Sequence, residues 1–177
     1  MKKYIVFDIE TTCWENDTKE ARELIEIGAC ALDSNFSIID SFEKFCKPLI
    51  NPVLTEFCIN LTGITQEMIN SADNFKIVLP EFAKWINSFE DAELISWGKY
   101  DKTHLLFENE RTGLNNIDFI KITEKHTNLK REFEIKYKLQ NCEIQAALNI
   151  LGKEFDGSLH RGIDDARNIV RILKEIR

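Results

Sequence analysis

The sequence lacks several features that would place it in a familiar class. Its five cysteines are scattered and never spaced as C-x-x-C, which argues against a zinc finger or a disulfide framework. We expect reduced, buried thiols. No apolar run approaches the ~18 residues of a membrane span, and acidic residues follow the start too early for a signal peptide. A cytoplasmic protein without a membrane contact is therefore expected.

An excess of basic residues is also missing. Lys and Arg number 23 against 30 Asp and Glu, so the net charge is −7. Proteins that bind nucleic acid through a broad basic surface usually carry the opposite balance. Any contact with a polyanion must therefore be local, and carboxylates clustered around divalent cations would reconcile an acidic chain with a phosphate substrate.

Internal repeats, low-complexity stretches and Pro/Gly/Ser linkers are absent, so the 177 residues are expected to form one domain. The apolar run Tyr4 to Phe7 predicts a central strand. Ile25 to Leu32 and Phe36 to Phe45 are separated by a short polar turn and predict a hairpin. Glu93 to Trp97 predicts a fourth strand and Ile117 to Ile120 a fifth.

Helical periodicity dominates the rest of the chain. Apolar residues recur on one face over 75–89, although Pro80 among them fits only in or near a first turn. Further helices are predicted from Tyr100 to Glu110, from Asn141 to Leu151 before the stop at Gly152, and along the C-terminal segment. Strands first, then strands alternating with helices, predict a mixed α/β sheet flanked by helices.

Acidic residues recur where the predicted strands and the last helix begin or end. Asp8 and Glu10 close the first strand, where residues two apart share a face and adjacent carboxylates repel unless a cation lies between them. Asp101 follows the fourth strand, and Asp165 comes five positions after His160. Each has an ordinary alternative, such as a helix cap for Asp101 or a solvated loop position for His160. As an ordered set they indicate a catalytic site.

The set D-x-E, a later Asp, and H-x-x-x-x-D resembles the DEDDh 3′→5′ exonucleases. The resemblance implies an RNase H-like fold over 1–177, with a mixed five-stranded sheet that is antiparallel at its N-terminal strands and then parallel. It also implies that two Mg²⁺ or Mn²⁺ ions are bound and that His160 is the general base. The metal ligands implied by the resemblance are Asp8, Glu10, Asp101 and Asp165.

Two segments are similar to the Eri-type exoribonucleases and their KapD-like bacterial relatives. One is LTGITQEMINSADNF, Leu61 to Phe75, and the other is WGKYD, where many other DEDDh enzymes have Asn at or near Trp97. The similarity implies hydrolysis of single-stranded RNA from its 3′ end to nucleoside 5′-monophosphates. Eri-type proteins that recognise stem-loops often carry a further N-terminal nucleic-acid-binding domain, which we do not expect here.

A pocket for the terminal nucleotide is predicted around the acids. Threonine hydroxyls would contact the sugar-phosphate and aromatic side chains would stack on a base, although Trp97 at a strand end also fits the core. A basic tract between Lys121 and Lys138 is interpreted either as a guide for the strand or as a solvated helix face. The predicted substrate contacts are Ile9, Thr11, Thr12, Leu61, Thr62, Ile64, Trp97, Tyr100 and His160.

Three other functions stay open. A DNA 3′→5′ exonuclease of the same fold would differ in its response to the 2′-hydroxyl of the substrate. A KapD-like regulatory binding module would keep the fold without catalysis, although clustered acids with a histidine favour chemistry. An RNase H-type endonuclease is disfavoured by the motif from His160 to Asp165 at the terminal helix.

Overall fold

A computed structural model describes residues 2–16 and 19–177 of the chain. Over these residues its strands are β1 (Tyr4–Thr11), β2 (Leu24–Leu32), β3 (Ile38–Phe45), β4 (Glu93–Ser96) and β5 (His126–Asn128). Over the same residues its helices are α1 (Glu56–Thr62), α2 (Gln66–Asn70), α3 (Phe75–Asn87), α4 (Tyr100–Arg111), α5 (Ile117–Thr123), α6 (Leu129–Tyr137), α7 (Ile144–Ile150) and α8 (Gly162–Ile176).

The strands form one mixed sheet in the order β3-β2-β1-β4-β5. β2 pairs antiparallel with β1 and with β3, whereas β4 is parallel to both β1 and β5. β1 is therefore central, and its first four residues, Tyr4 to Phe7, are buried as their apolar sequence predicts. The predicted hairpin and the mixed five-stranded sheet, antiparallel and then parallel, are both confirmed.

The prediction of a fifth strand at Ile117 to Ile120 is wrong, because these residues begin α5. The side chain of Asn116 caps this helix by accepting a hydrogen bond from the Phe119 N–H. Phe119 and Thr123 are buried four residues apart, which is a helical spacing. A short apolar run cannot distinguish a strand from a buried helix, and the actual fifth strand has the polar sequence His-Thr-Asn.

Pro80 lies later in its helix than expected. α3 begins at Phe75, so Pro80 is its sixth residue and belongs to the second turn. A proline there removes one backbone hydrogen bond of the helix. Burial of an apolar face against the sheet offsets this loss, and the buried residues of α3 are Phe75, Val78, Leu79, Phe82, Ala83 and Ile86.

Helices cover both faces of the sheet. Phe7 and Ile9 of β1 pack in one cluster with α3 and α5, whereas Tyr4 and Val6 face the opposite cluster with α6, α7 and α8. Side chains of β1 thus alternate between two cores. The terminal helix α8 contributes nine buried residues, including Asp165, and confirms the predicted C-terminal helix.

Some helices were predicted well and others were missed. α4 begins at Tyr100 as predicted, while α7 begins at Ile144, later than the predicted Asn141. The short helices α1, α2 and α6 were not predicted, and α6 occupies part of the basic tract. The five cysteines are buried and unpaired, as expected. Among the described residues, no helix is long and apolar enough to cross a membrane.

Candidate active site

The centre of the candidate site is the last part of β1. Asp8 lies opposite Gly28 and Glu10 opposite Glu26 in the antiparallel pairing with β2. Because side chains alternate along a strand, both acids point to the face of the sheet that α8 covers, while Ile9 between them packs on the other side. The central strand therefore holds two half-buried carboxylates side by side.

Asp165 joins these two acids from the first turn of α8. Carboxylate oxygens of Asp8, Glu10 and Asp165 all lie within 4.8 Å of one another. The Oδ2 atom of Asp165 is buried and has no hydrogen-bond partner among the described residues. A buried, unpaired carboxylate oxygen is unfavourable unless a proton or a cation satisfies it. This oxygen-rich group therefore fits a divalent metal ion.

Asp101 lines the same cavity from the first turn of α4, directly beyond the end of β4. Only 5% of its surface is exposed, and it stands outside the close group formed by the other three acids. Burial raises the pKa of Asp101 to about 6.

His160 is the last residue but one of the irregular segment 152–161, called here the His160 loop, which ends where α8 begins. Its φ angle is +62°, in the left-handed region that side chains other than glycine seldom adopt. Backbone strain of this kind persists where the surrounding structure holds it, and it is common at functional sites. Burial lowers the pKa of His160, so the imidazole is neutral at neutral pH.

A cavity of about 390 Å³ contains most of the predicted site. The predicted residues that line it are Asp8, Ile9, Glu10, Trp97, Tyr100, Asp101, His160 and Asp165. Leu159 and the first residues around α7, Glu143 to Gln145, also line it and were not predicted. Their sequence carries only a helix-start pattern, which gives no sign that the helix begins beside the acids.

A wider groove of about 850 Å³ lies at the other end of the parallel strands, where Lys2, Glu93 and His126 are among its lining residues. Both of its lysines are already paired, since Lys2 lies 2.8 Å from Glu93 and Lys125 lies 2.7 Å from Asp91. Ligands of α/β sheets bind at the carboxyl ends of the strands. We therefore assign the chemistry to the smaller, acid-lined cavity.

Burial and mutual repulsion change the protonation of the clustered acids. Burial raises the pKa of Asp8 well above its ordinary value, and the charges of Asp101, Asp165 and Glu10 raise it further. Burial is also the main reason that the pKa of Glu10 rises to about 9 and that of Asp165 to about 7. Without a cation, the cluster therefore retains protons at neutral pH.

Three of the predicted substrate contacts are side chains engaged within the fold. Thr12 is 3% exposed, and its hydroxyl accepts a hydrogen bond from the Glu23 N–H. The Thr62 hydroxyl donates to the Cys58 carbonyl, and Ile64 is fully buried among apolar neighbours. These side chains stabilise the segment beside the strand end and do not line the cavity, so their direct contact with the substrate stays a prediction.

The other predicted contacts lie nearer to the cavity. The Thr11 hydroxyl is 3.4 Å from the Tyr100 hydroxyl, and Tyr100 is half exposed. Leu61 is exposed on α1 but does not line the cavity. Trp97 lines the cavity, as a substrate contact would. It also belongs to the core, because it is 8% exposed and its Nε1 donates a hydrogen bond to the Cys142 carbonyl.

Comparison with known protein sequences identifies relatives that are all described as exonucleases. The model of the RNase_T family, described as exonuclease, matches residues 5–173. The 3′-5′ exoribonuclease 1 of Rattus norvegicus is 31% identical over 176 residues, which cover 94% of this chain and 50% of that protein. The 3′-5′ exonuclease eri1 of Schizosaccharomyces pombe is 29% identical over 204 residues, covering 99% and 68%. The chain thus spans about half the length of the first of these relatives.

Solved structures show the same fold. The nuclease domain of 3′hExo, a DEDDh family member bound to rAMP, superposes with a TM-score of 0.88 at 30% identity. That match covers 98% of this chain and 90% of the other. A 3′-exonuclease that recognises the 3′ end of a histone mRNA stem-loop gives a TM-score of 0.85 at 29% identity, covering 98% and 62%. The RNase H-like fold that the sequence motifs imply is therefore confirmed.

Proposed function

The chain belongs to the RNase_T exonuclease family, and on that premise we propose that it is a metal-dependent 3′→5′ exoribonuclease acting on single-stranded RNA. One observation supports this more than any other. The five side chains of the DEDDh pattern, which are distant in sequence, converge on one cavity at the end of the central strand; they are Asp8, Glu10, Asp101, His160 and Asp165.

The proposed cofactors are two divalent cations, Mg²⁺ or Mn²⁺. Divalent metal ions serve the DEDDh exonucleases, and the candidate ligands here are four carboxylates, which suit hard cations with oxygen ligands. The unpaired Oδ2 atom of Asp165 and its closeness to Asp8 and Glu10 support this assignment. Bound cations would activate a water molecule and stabilise the charge that develops on the scissile phosphate.

His160 would take up the proton of the attacking water. Its half-buried, neutral imidazole has a free lone pair at neutral pH, as a general base requires. The water oxygen then bonds to phosphorus, the bond from phosphorus to the 3′ oxygen breaks, the 3′ oxygen takes up a proton from the solvent, and a nucleoside 5′-monophosphate leaves. The four acids would not take this role, because their carboxylates would hold the cations.

The terminal nucleotide would bind between β1 and the start of α4. Tyr100 offers a half-exposed ring beside the acids, and stacking of a base on an aromatic side chain contributes about 1–3 kcal/mol. Trp97 gives an apolar wall and Ile9 borders the cavity, while contacts of Thr11 and Leu61 with a longer strand stay predictions. RNA is favoured because relatives are named exoribonucleases and a similar nuclease domain binds rAMP.

A digestion time course on 5′-labelled oligonucleotides tests this function. Single-stranded RNA and DNA of matched sequence are incubated with Mg²⁺, Mn²⁺ or EDTA, with Asp8→Asn as the control variant. We expect a ladder that shortens from the 3′ end, faster on RNA, and that EDTA and the substitution abolish. Faster digestion of DNA would identify a DNA exonuclease of the same fold. Intact oligonucleotides in every lane would favour the non-catalytic binding module.

A further inference from the structure

An ion pair lies directly behind the cavity, between the sheet and the start of α8. Glu26 of β2 is fully buried and stands opposite Glu10. Its carboxylate accepts hydrogen bonds from Arg161 Nε at 3.2 Å and Arg161 Nη2 at 3.3 Å, and from the Gly162 N–H at 3.0 Å. One buried carboxylate thus fixes two consecutive residues, and both directly follow His160.

The earlier part of the His160 loop is hydrogen-bonded to α8. The Ser158 N–H donates to Oδ2 of Asp164 at 3.0 Å, and the Asp156 N–H donates to Oδ1 of Asn168 at 3.1 Å. Both acceptors belong to α8, so these hydrogen bonds connect the loop only to that helix and not to the sheet. The contact of Arg161 and Gly162 with Glu26 is different, because it connects the loop to the sheet that carries Asp8 and Glu10.

The backbones at this junction are in contact. A Cβ atom added to Gly28 would lie 2.0 Å from the Ile163 nitrogen, and one added to Gly162 would lie 3.2 Å from the Asp8 carbonyl oxygen. Gly28 is the partner of Asp8 in the strand pairing. The start of α8 therefore rests on the β1–β2 ladder at the level of the acids, so a shift at residues 160–162 changes the distance between the imidazole and the acids.

We propose that Glu26 is a positioning residue that, through Arg161 and the Gly162 N–H, holds the imidazole of His160 over the metal-ligating acids. The proposal rests on the proposed exonuclease function. A guanidinium bound by two nitrogen atoms is fixed in orientation as well as in distance. That constraint keeps the residue next to it in its left-handed conformation. Misplacement of a catalytic group by about 1 Å can reduce a rate by ~10²-fold.

Glu43 provides a matched control. It accepts a hydrogen bond from the same Arg161 Nη2 atom at 3.0 Å, but its side chain is 42% exposed and it makes no recorded contact with Gly162 within the described residues. An exposed ion pair contributes little to structure. Removing the charge of Glu43 should therefore leave His160 in place, whereas removing the charge of Glu26 should not.

A double-mutant cycle separates positioning from general stability. Single-turnover rates on RNA are measured for Glu26→Gln and Glu43→Gln, each in the parent and in a His160→Ala background. We expect Glu26→Gln to lower the parent rate about 10- to 100-fold with an unchanged KM, and to change the His160→Ala rate less than about twofold. Glu43→Gln should stay within about threefold of the parent. An equal loss from Glu26→Gln in both backgrounds would overturn the proposal.

Hydrogen exchange gives a readout that does not depend on activity. In the metal-free protein, Glu26→Gln should accelerate exchange at residues 160–162 at least about tenfold while amides of β1 stay protected; Glu43→Gln should change neither. Unchanged exchange at these residues would contradict the proposal even if the parent showed no nuclease activity, so the two failures are distinguishable. If Glu26→Gln does not fold, Arg161→Lys keeps the charge without the two-nitrogen contact and should show the same pattern more weakly.

Discussion

The two sides of the cavity are built in different ways. Asp8 and Glu10 stand on β1, which pairs with β4 only up to Val6 but with β2 beside both acids, so the β1–β2 ladder fixes their positions. His160 stands on an irregular loop with a left-handed backbone, and the side chains of Glu26, Asp164 and Asn168 fix that loop. The positions of Asp8 and Glu10 therefore depend on the sheet, whereas the position of His160 depends on a few polar contacts.

The two sides also differ in protonation. Burial and repulsion raise the pKa values of the acids, so they retain protons when no cation is present. Burial lowers the pKa of His160, so its imidazole gives up its second proton more readily. A cation that binds the acids would therefore displace their protons, while the neutral imidazole of His160 can accept a proton. Changes on the two sides should have separable effects.

The largest effect is expected for Asp8→Asn. This substitution keeps the shape of the side chain and removes a charge from the centre of the acid group, so activity should fall on the order of 10³-fold or more. The metal-free protein should become more stable, because repulsion among buried acids decreases. Rates on RNA and thermal unfolding in EDTA check both parts. Asp118→Asn, at an exposed position of α5, is the control and should change neither.

His160→Ala should have the next largest effect. Loss of a general base typically lowers a rate ~10²- to 10⁴-fold, and the sheet-borne acids should be unaffected. Activity should therefore fall while the Mn²⁺ concentration that gives half of the remaining rate stays the same. Activity equal to that of the parent would contradict the assigned role.

Gly28→Ala tests the contact between the two sides. The added Cβ would lie 2.0 Å from a backbone nitrogen of α8, so the helix must move away from the sheet. Overpacking of this kind destabilises by about 1–3 kcal/mol or more, and the shift should also reduce activity. Urea unfolding measures the loss. Gly113→Ala places a Cβ in open space and should destabilise less, although its φ of +69° adds some strain.

The smallest effect is a pH dependence of stability. Because folding raises the pKa values of the acids, their neutral forms favour the folded state at low pH. The stability that these acids contribute to the metal-free protein should be fully present below about pH 4. It should decline as pH rises through about 7 and 9, the pKa values of Asp165 and Glu10. Thermal unfolding in EDTA at several pH values measures this decline.

Saturating Mn²⁺ should flatten that decline, because a cation stabilises the ionised carboxylates. In EDTA, Asp8→Asn should also show a weaker decline than the parent. A melting temperature that rises with pH in EDTA, over the range from about 5 to 9, would contradict the protonation assigned to the cluster.

The side of the cavity that the sheet builds was the easier to predict. Asp8 and Glu10 follow an apolar run, and the alternation of a strand places them on one face without any knowledge of distant contacts. The order of the motifs then identified Asp101, His160 and Asp165 through resemblance to a family. Short polar elements such as β5, and helices of five to nine residues, carried too weak a periodicity.

The contacts that hold the loop could not be predicted. Glu26 looks in sequence like one polar residue within a buried strand, and its partner Arg161 is 135 positions away. Thr62 and Ile64 lie in a segment that resembles the family well, but resemblance of a segment does not say which side chains face the substrate. Ile64 is buried by packing with α1, α2 and β2, and the Thr62 hydroxyl is bonded to the Cys58 carbonyl within α1.

The most direct test of the separate roles of Asp8 and His160 is a calorimetric titration with Mn²⁺ near pH 8, comparing the parent with Asp8→Asn and His160→Ala. We predict that the parent and His160→Ala bind the metal with affinities within about threefold, and that Asp8→Asn binds at least about tenfold more weakly. Equal binding by Asp8→Asn and the parent, or equal losses in both variants, would contradict a site in which Asp8 on the central strand is a metal ligand and His160 on the loop is the base.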